Sequence, residues 1–171
     1  MIEPNVNDFF RAYATAMLVW QHVESALFST FFSLYNYEEE PKIGSRNLKR
    51  LGAVFYSQET FSAKLKIVDA LAKVTLAPEL LTEWKKLKKQ MERAYAHRNV
   101  LAHFTAVATN TESTALDLAM APPMFVPEEI RRKRDRLFDA AGCEKLINDF
   151  GMIAGLLDEF SQLKVARGRA T

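Results

Sequence analysis

The sequence predicts an all-α fold, a four- to five-helix up-down bundle with a small β-hairpin inserted after its fourth helical segment. Apolar residues recur in steps of three and four over long segments, which is the helical period. There are only six glycines and six prolines in 171 residues, about 7% where average usage gives roughly 12%, so turn-dense all-β folds are disfavoured. The period changes to alternation once, between residues 104 and 121.

Residues 5–37 hold neither glycine nor proline, and Phe10, Tyr13, Met17, Trp20, Leu27, Phe31 and Leu34 form one apolar stripe. A second set, Ala14, Leu18, Ala26, Phe28 and Phe32, widens it beyond what one neighbouring helix covers, so burial on two sides, by a second subunit among other options, is expected. After a polar connection containing Pro41 and Gly44, Ser45 suits the N-cap of a short helix through Leu51. A helix over 57–74 follows, with Phe61, Leu65, Val68 and Ala72 on one face, and Pro78 marks the break after it. The next helix, 79–103, has Trp84, Leu87, Met91, Ala94 and Leu101 inward and Lys85, Lys86, Lys88 and Lys89 outward. Phe104 to Thr109 and Ala115 to Met120 then read as strands joined by a turn. Pro122, Pro123 and Pro127 keep the chain extended before an Arg-rich segment, 128–136, and a last helix over 139–165 carries Leu146, Phe150, Ile153, Leu157 and Phe160. With no repeat and no linker, a single domain over 1–171 is expected, its hairpin at about 104–121 and a frayed tail from about 166.

Composition removes several classes of function. The 23 Lys and Arg against 21 Asp and Glu give a net charge of +2, so no polyelectrolyte partner is forced by charge alone. Neither glycine-rich phosphate-binding pattern occurs. Cys143 is the single cysteine, which excludes an intramolecular disulfide and a cysteine-based zinc cluster; with three histidines and no H-E-x-x-H, neither a metal site nor a cofactor is expected. Met1 to Arg11 lacks the basic start and small-residue cleavage site of a signal peptide, and the apolar run from Ala12 to Trp20 is too short to span a bilayer. The expectation is a cytoplasmic protein with no membrane partner.

One constellation carries chemical information. The 3–4 steps from Trp84 through Ala94 land on Arg98 before reaching Leu101, so an arginine occupies a core position. An unpaired buried guanidinium is costly, and it requires either a partner or an interface. The first helix shows the matching anomaly, Glu24 between Trp20 and Leu27, which suggests a Glu24–Arg98 ion pair. His103 follows Arg98 by five residues, a rotation of about 140° on an ideal helix, so the two side chains of one chain do not easily converge. Asn99 and Tyr95, four and eight residues before His103, share its face and are placed to orient the imidazole or meet a ligand. A catalytic role for this motif therefore favours a site completed by a second copy across a two-fold axis.

The run Arg98-Asn99-Val100-Leu101-Ala102-His103 resembles the R-x4-6-H motif, often written R-N-x-x-x-H, of the HEPN superfamily of helical nucleotide-binding domains. The order of elements is also similar: a long first helix with an internal acid, a middle helix, the motif helix and a closing helix, together about 5–165. The resemblance implies a homodimer with facing motifs and, in catalytic members, a metal-independent endoribonuclease leaving 2′,3′-cyclic phosphate and 5′-hydroxyl ends. His103 would be the general acid/base, Arg98 the phosphate ligand, and Asn99 would position one of them.

Toxin, defence and housekeeping roles all fit such an activity. Lys85, Lys88 and Lys89 with Arg131 and Arg132 are candidates to guide an RNA backbone, although acidic neighbours dilute both runs and no aromatic residue interleaves them. The alternative is a non-catalytic helical module that dimerises or binds a partner protein and in which Arg98 is a structural ion-pair residue.

Overall fold

The computed structural model describes residues 6–36, 45–110, 116–121 and 139–165. The fold in them is the all-α bundle that the helical spacing predicts: α1 Val6–Tyr35, α2 Ser45–Tyr56, α3 Phe61–Thr75, α4 Pro78–His103 and α5 Ala140–Glu159. A π-helical turn, Phe160–Val165, continues α5. Between α4 and α5, β1 Thr105–Asn110 and β2 Leu116–Ala121 pair antiparallel, with Thr105 opposite Ala121 and Asn110 opposite Leu116. Residues 111–115 between them, the Arg-rich segment 128–136 and the tail from 166 lie outside the described residues.

Local chemistry sets boundaries that periodicity alone placed differently. The short helix expected to end near Leu51 runs on to Tyr56, closed by Ser57, whose N–H donates to the Ala53 carbonyl at 3.0 Å. α3 starts at Phe61 rather than at residue 57, because the Thr60 side chain accepts from the Ala63 N–H at 3.2 Å and caps it, an interaction worth about 1 kcal/mol. Pro78 opens α4 instead of standing before it; the first helical position needs no N–H donor, so its missing donor costs nothing there. Asp139 caps α5 by accepting from the Gly142 N–H at 2.7 Å.

The chain divides into two compact units, one of Met1–Trp20 and Ala94–Phe150, the other of Gln21–Arg93 and Gly151–Thr171. In the first, Phe9, Ala12, Ala16 and Trp20 from α1, Leu101 from α4 and Cys143, Leu146 and Phe150 from α5 are buried. Trp20 anchors this core, edge-on to Phe150 at 5.1 Å between centroids and stacked on Tyr95 at 6.0 Å. Burial pushes the Cys143 thiol up from 9.0 to about 11, with the Asp139 carboxylate adding to the effect.

The second unit is organised around buried charge. Phe61, Leu65, Val68 and Ala72 of α3 are buried, as their spacing predicts, but Lys64 and Asp69 are buried with them. Asp69 accepts the Trp84 indole N–H at 3.0 Å on one oxygen and the ammonium groups of Lys73 and Lys88, each at 2.9 Å, on the other. Burial raises the Asp69 pKa, and the bonds from Lys73, Lys88 and Trp84 with the Lys88 charge more than reverse this, leaving it at about 2 from an ordinary 3.8. Lys64 donates to the Glu24 carboxylate at 2.5 Å, its ammonium 5.8 Å from the Phe55 ring centroid and 5.4 Å from that of Tyr56. Phe28 and Phe31 of α1 pack on Phe55 at 5.3 and 5.7 Å, so this cation sits beside an aromatic cluster.

A depressed acid stabilises the fold fully above its unfolded pKa and loses that contribution as pH falls through the folded one. Unfolding stability should therefore drop by about 2 kcal/mol between roughly pH 4 and pH 2 on account of Asp69. In urea titrations, Asp69→Asn should lose a similar amount near neutrality and show a flatter acid limb. The Cys143 thiol should stay unlabelled by a disulfide reagent in the native protein and react once denaturant unfolds it, since the buried thiol is both inaccessible and protonated.

Candidate functional site

The C-terminal turns of α4 carry the motif inside the first unit. Ala94 and Leu101 are buried, and Arg98 lies between them on the same line, half-buried, where the seam spacing places it. Phe104 is also buried, and its N–H donates to the Val100 carbonyl at 2.9 Å, which fixes the last turn and with it His103. Asn99 and Tyr95 are half-buried, and the His103 imidazole is exposed. Tyr95 is held by its stack on Trp20, itself buried.

The guanidinium of Arg98 is poorly satisfied. One terminal nitrogen, Nη1, donates to Asn99 Oδ1 at 3.4 Å, long for an N–H···O bond. The inner nitrogen, Nε, is buried with no hydrogen-bond partner among the described residues. Among the described residues no carboxylate pairs with Arg98. Leaving a buried donor unsatisfied costs about 1–3 kcal/mol, and more when the group is charged. A charge held in this way is well placed to accept an anionic ligand, because the two terminal nitrogens of the fork are suited to phosphate or carboxylate oxygens.

The expected Glu24–Arg98 pair falls on residues of two different units. Glu24 belongs to the second unit and holds the Lys64 ammonium there. Lys64 lies on α3 at the buried edge of its apolar face, and its long stem brings the ammonium to Glu24 beside the Phe55 and Tyr56 rings.

The other expected site residues separate in the same way. Tyr95, Arg98, Asn99 and His103 lie in the first unit, while Lys85, Lys88 and Lys89 lie on the part of α4 in the second. Lys85 and Lys89 are exposed. Lys88, expected on the outer surface, is half-buried, its ammonium bound to Asp69 at 2.9 Å with Glu92 at 3.9 Å, so it is a structural cation. Arg131 and Arg132 lie outside the described residues. No three His, Cys, Asp or Glu side chains among the described residues gather as metal ligands would, and no described helix is long and apolar enough to cross a membrane.

Arg98 and His103 lie on one helix about 140° apart, which directs them to different sides of it. A single copy can hold an anion on Arg98 or move a proton on His103, and bringing both to one phosphodiester requires a second copy or a substrate that wraps the helix. No protein-family model, curated protein or solved structure matches this chain.

Replacing Arg98 by methionine removes the orphaned donor and keeps the apolar stem, so thermal stability without ligand should stay within about 0.5 kcal/mol of wild type or rise. Lys64→Met, which takes the ammonium away from the half-buried Glu24 carboxylate, should lower it by about 1 kcal/mol or more. A loss at Arg98 as large as that at Lys64, in parallel denaturant melts, would make the arginine structural.

Proposed function

We propose that the chain is a HEPN-like endoribonuclease acting as a homodimer, in which Arg98 holds the scissile phosphate and His103 moves the proton. The observation that carries this reading is the half-buried Arg98 guanidinium, which among the described residues has no partner for its Nε and no carboxylate to neutralise it. An RNA phosphate supplies the missing anion, and Asn99, within reach of the same guanidinium, fixes its orientation.

His103 is exposed and therefore open to substrate. As general base it takes the proton of the ribose 2′-hydroxyl while that oxygen bonds to phosphorus and the bond to the 5′-oxygen breaks. The leaving 5′-oxygen takes a proton from an acid, the partner's His103 in a composite site, and the products are a 2′,3′-cyclic phosphate and a 5′-hydroxyl. The negative charge that grows on the phosphoryl oxygens during this step is met by Arg98.

A second reading has its own observation. Phe10 and Leu18 on α1, in the same unit as the motif, are about half exposed, as expected of a surface that meets a partner protein. In that reading the protein is a non-catalytic helical module, and Arg98 pairs with a carboxylate of the partner.

Purified wild-type protein incubated with total cellular RNA and EDTA should produce fragments with cyclic-phosphate ends. His103→Ala and Arg98→Ala should each reduce cleavage by about a hundredfold or more while keeping the native circular-dichroism spectrum. Intact RNA in the wild-type reaction would remove the nuclease reading and leave the module.

A further inference from the structure

The second unit has a surface whose composition its own fold does not explain. Between α4 and the end of α5 runs a groove of about 310 Å³, with Lys86, Leu87 and Gln90 on one side and Leu156, Glu159 and Phe160 on the other. Its floor is apolar and firm, because Leu87 and Phe160 are buried and Phe160 packs on the buried Trp84 at 5.9 Å. The apolar surface continues outward along α5: Leu156 is 37% exposed and Met152, one turn earlier, is 57% exposed.

Beside these two residues stand Gly151 and Gly155, both exposed. A Cβ at either position would meet nothing within 4 Å. Glycine inside a helix is unfavourable relative to alanine, and no neighbour among the described residues demands it at either position. What two glycines one turn apart provide is a low helix face that another backbone can approach closely, flanked here by methionine and leucine.

We propose that this surface of α4 and α5 seats a second copy of the chain in an isologous dimer. The charges support that occupant. The α4 rim carries exposed Lys86 and Arg93, and the α5 rim carries exposed Asp158 and Glu159. Glu83, at the groove edge, is half-buried and already engaged within the chain. In an isologous contact the same patch meets itself. A two-fold axis running along the helices lays the basic α4 rim of one copy on the acidic α5 rim of the other, twice. An axis across the helices would set like charges against each other, so the pattern also selects the geometry. A nucleic acid does not suit this surface, since the acidic rim repels phosphate. Both readings call for a second copy, but no residue of the Arg98–His103 motif lines this groove, so Leu156→Lys tests the surface alone.

Light scattering and sedimentation across micromolar concentrations should give twice the 19.5 kDa chain mass for the wild type. Leu156→Lys should weaken association by at least about tenfold. Gly151→Ala with Gly155→Ala should raise the melting temperature of the helix-rich protein and yet weaken association, which separates interface damage from misfolding. Lys86→Glu and Glu159→Lys should each associate poorly alone and form a dimer when mixed, since only in the mixed pair do opposite charges meet on both sides. A wild type that stays at 19.5 kDa throughout overturns the proposal. So does a dimer that Leu156→Lys leaves equally tight, or a mixture that does not restore association.

Discussion

The second unit depends on one buried carboxylate. Asp69 ties α3 to α4 through the Trp84 indole and Lys88, and ties α3 to itself through Lys73. Trp84 is fully buried, and its N–H needs an acceptor there. Asp69 is the acceptor, and the two ammonium groups make its charge tolerable in the interior. The arrangement sets the register of the two helices: a shift by one residue would part the indole from its acceptor and leave the carboxylate unpaired. Apolar packing of Leu65, Val68 and Met91 supplies cohesion without direction, whereas this network admits one alignment.

The contrast with Arg98 gives the motif its meaning. In the second unit the charges that intrude on apolar faces have partners, Asp69 with three donors and Lys64 with Glu24 beside two aromatic rings. In the first unit Arg98 has, among the described residues, one long bond to its neighbour and a buried Nε without an acceptor. Under the proposed reading, the charge left open at this third place is where the phosphate arrives.

The helices were legible in the sequence because their apolar spacing is long and regular, and the buried residues Trp20, Leu27, Trp84, Met91, Phe150 and Leu157 follow from it. Ends were less legible: α2 runs past Leu51 because Phe55 joins the aromatic cluster around Phe28, a tertiary contact with no local signal. The rule that a charge in an apolar seam needs a partner located Glu24 and Arg98 but could not choose between acceptable partners. Lys64 and Asp69 intrude on the α3 face by the same rule, and counting them would have supplied Glu24 with a cation of its own unit and withdrawn Lys88 from the exposed lysines. Pairing depends on which helices pack together, and spacing within one helix does not carry that information.

α4 joins these strands of argument. Its first turns, anchored by Trp84 and Lys88 on Asp69, are fixed by a charge network, and its last turns, with Ala94, Leu101 and Phe104 buried, are fixed by apolar packing. Arg98 therefore sits on a helix and not on a loop, so the backbone that carries its guanidinium is held in place. Rigidity has two consequences for the proposed chemistry. It holds the anion-binding group in place before substrate arrives, which lowers the entropic cost of binding. It also keeps His103 on another side of the helix, about 140° round from Arg98, whatever the substrate does. Under the proposed reading, such a chain binds a phosphate by itself and needs a second chain to cut it, so assembly, rather than any movement within one copy, turns binding into catalysis.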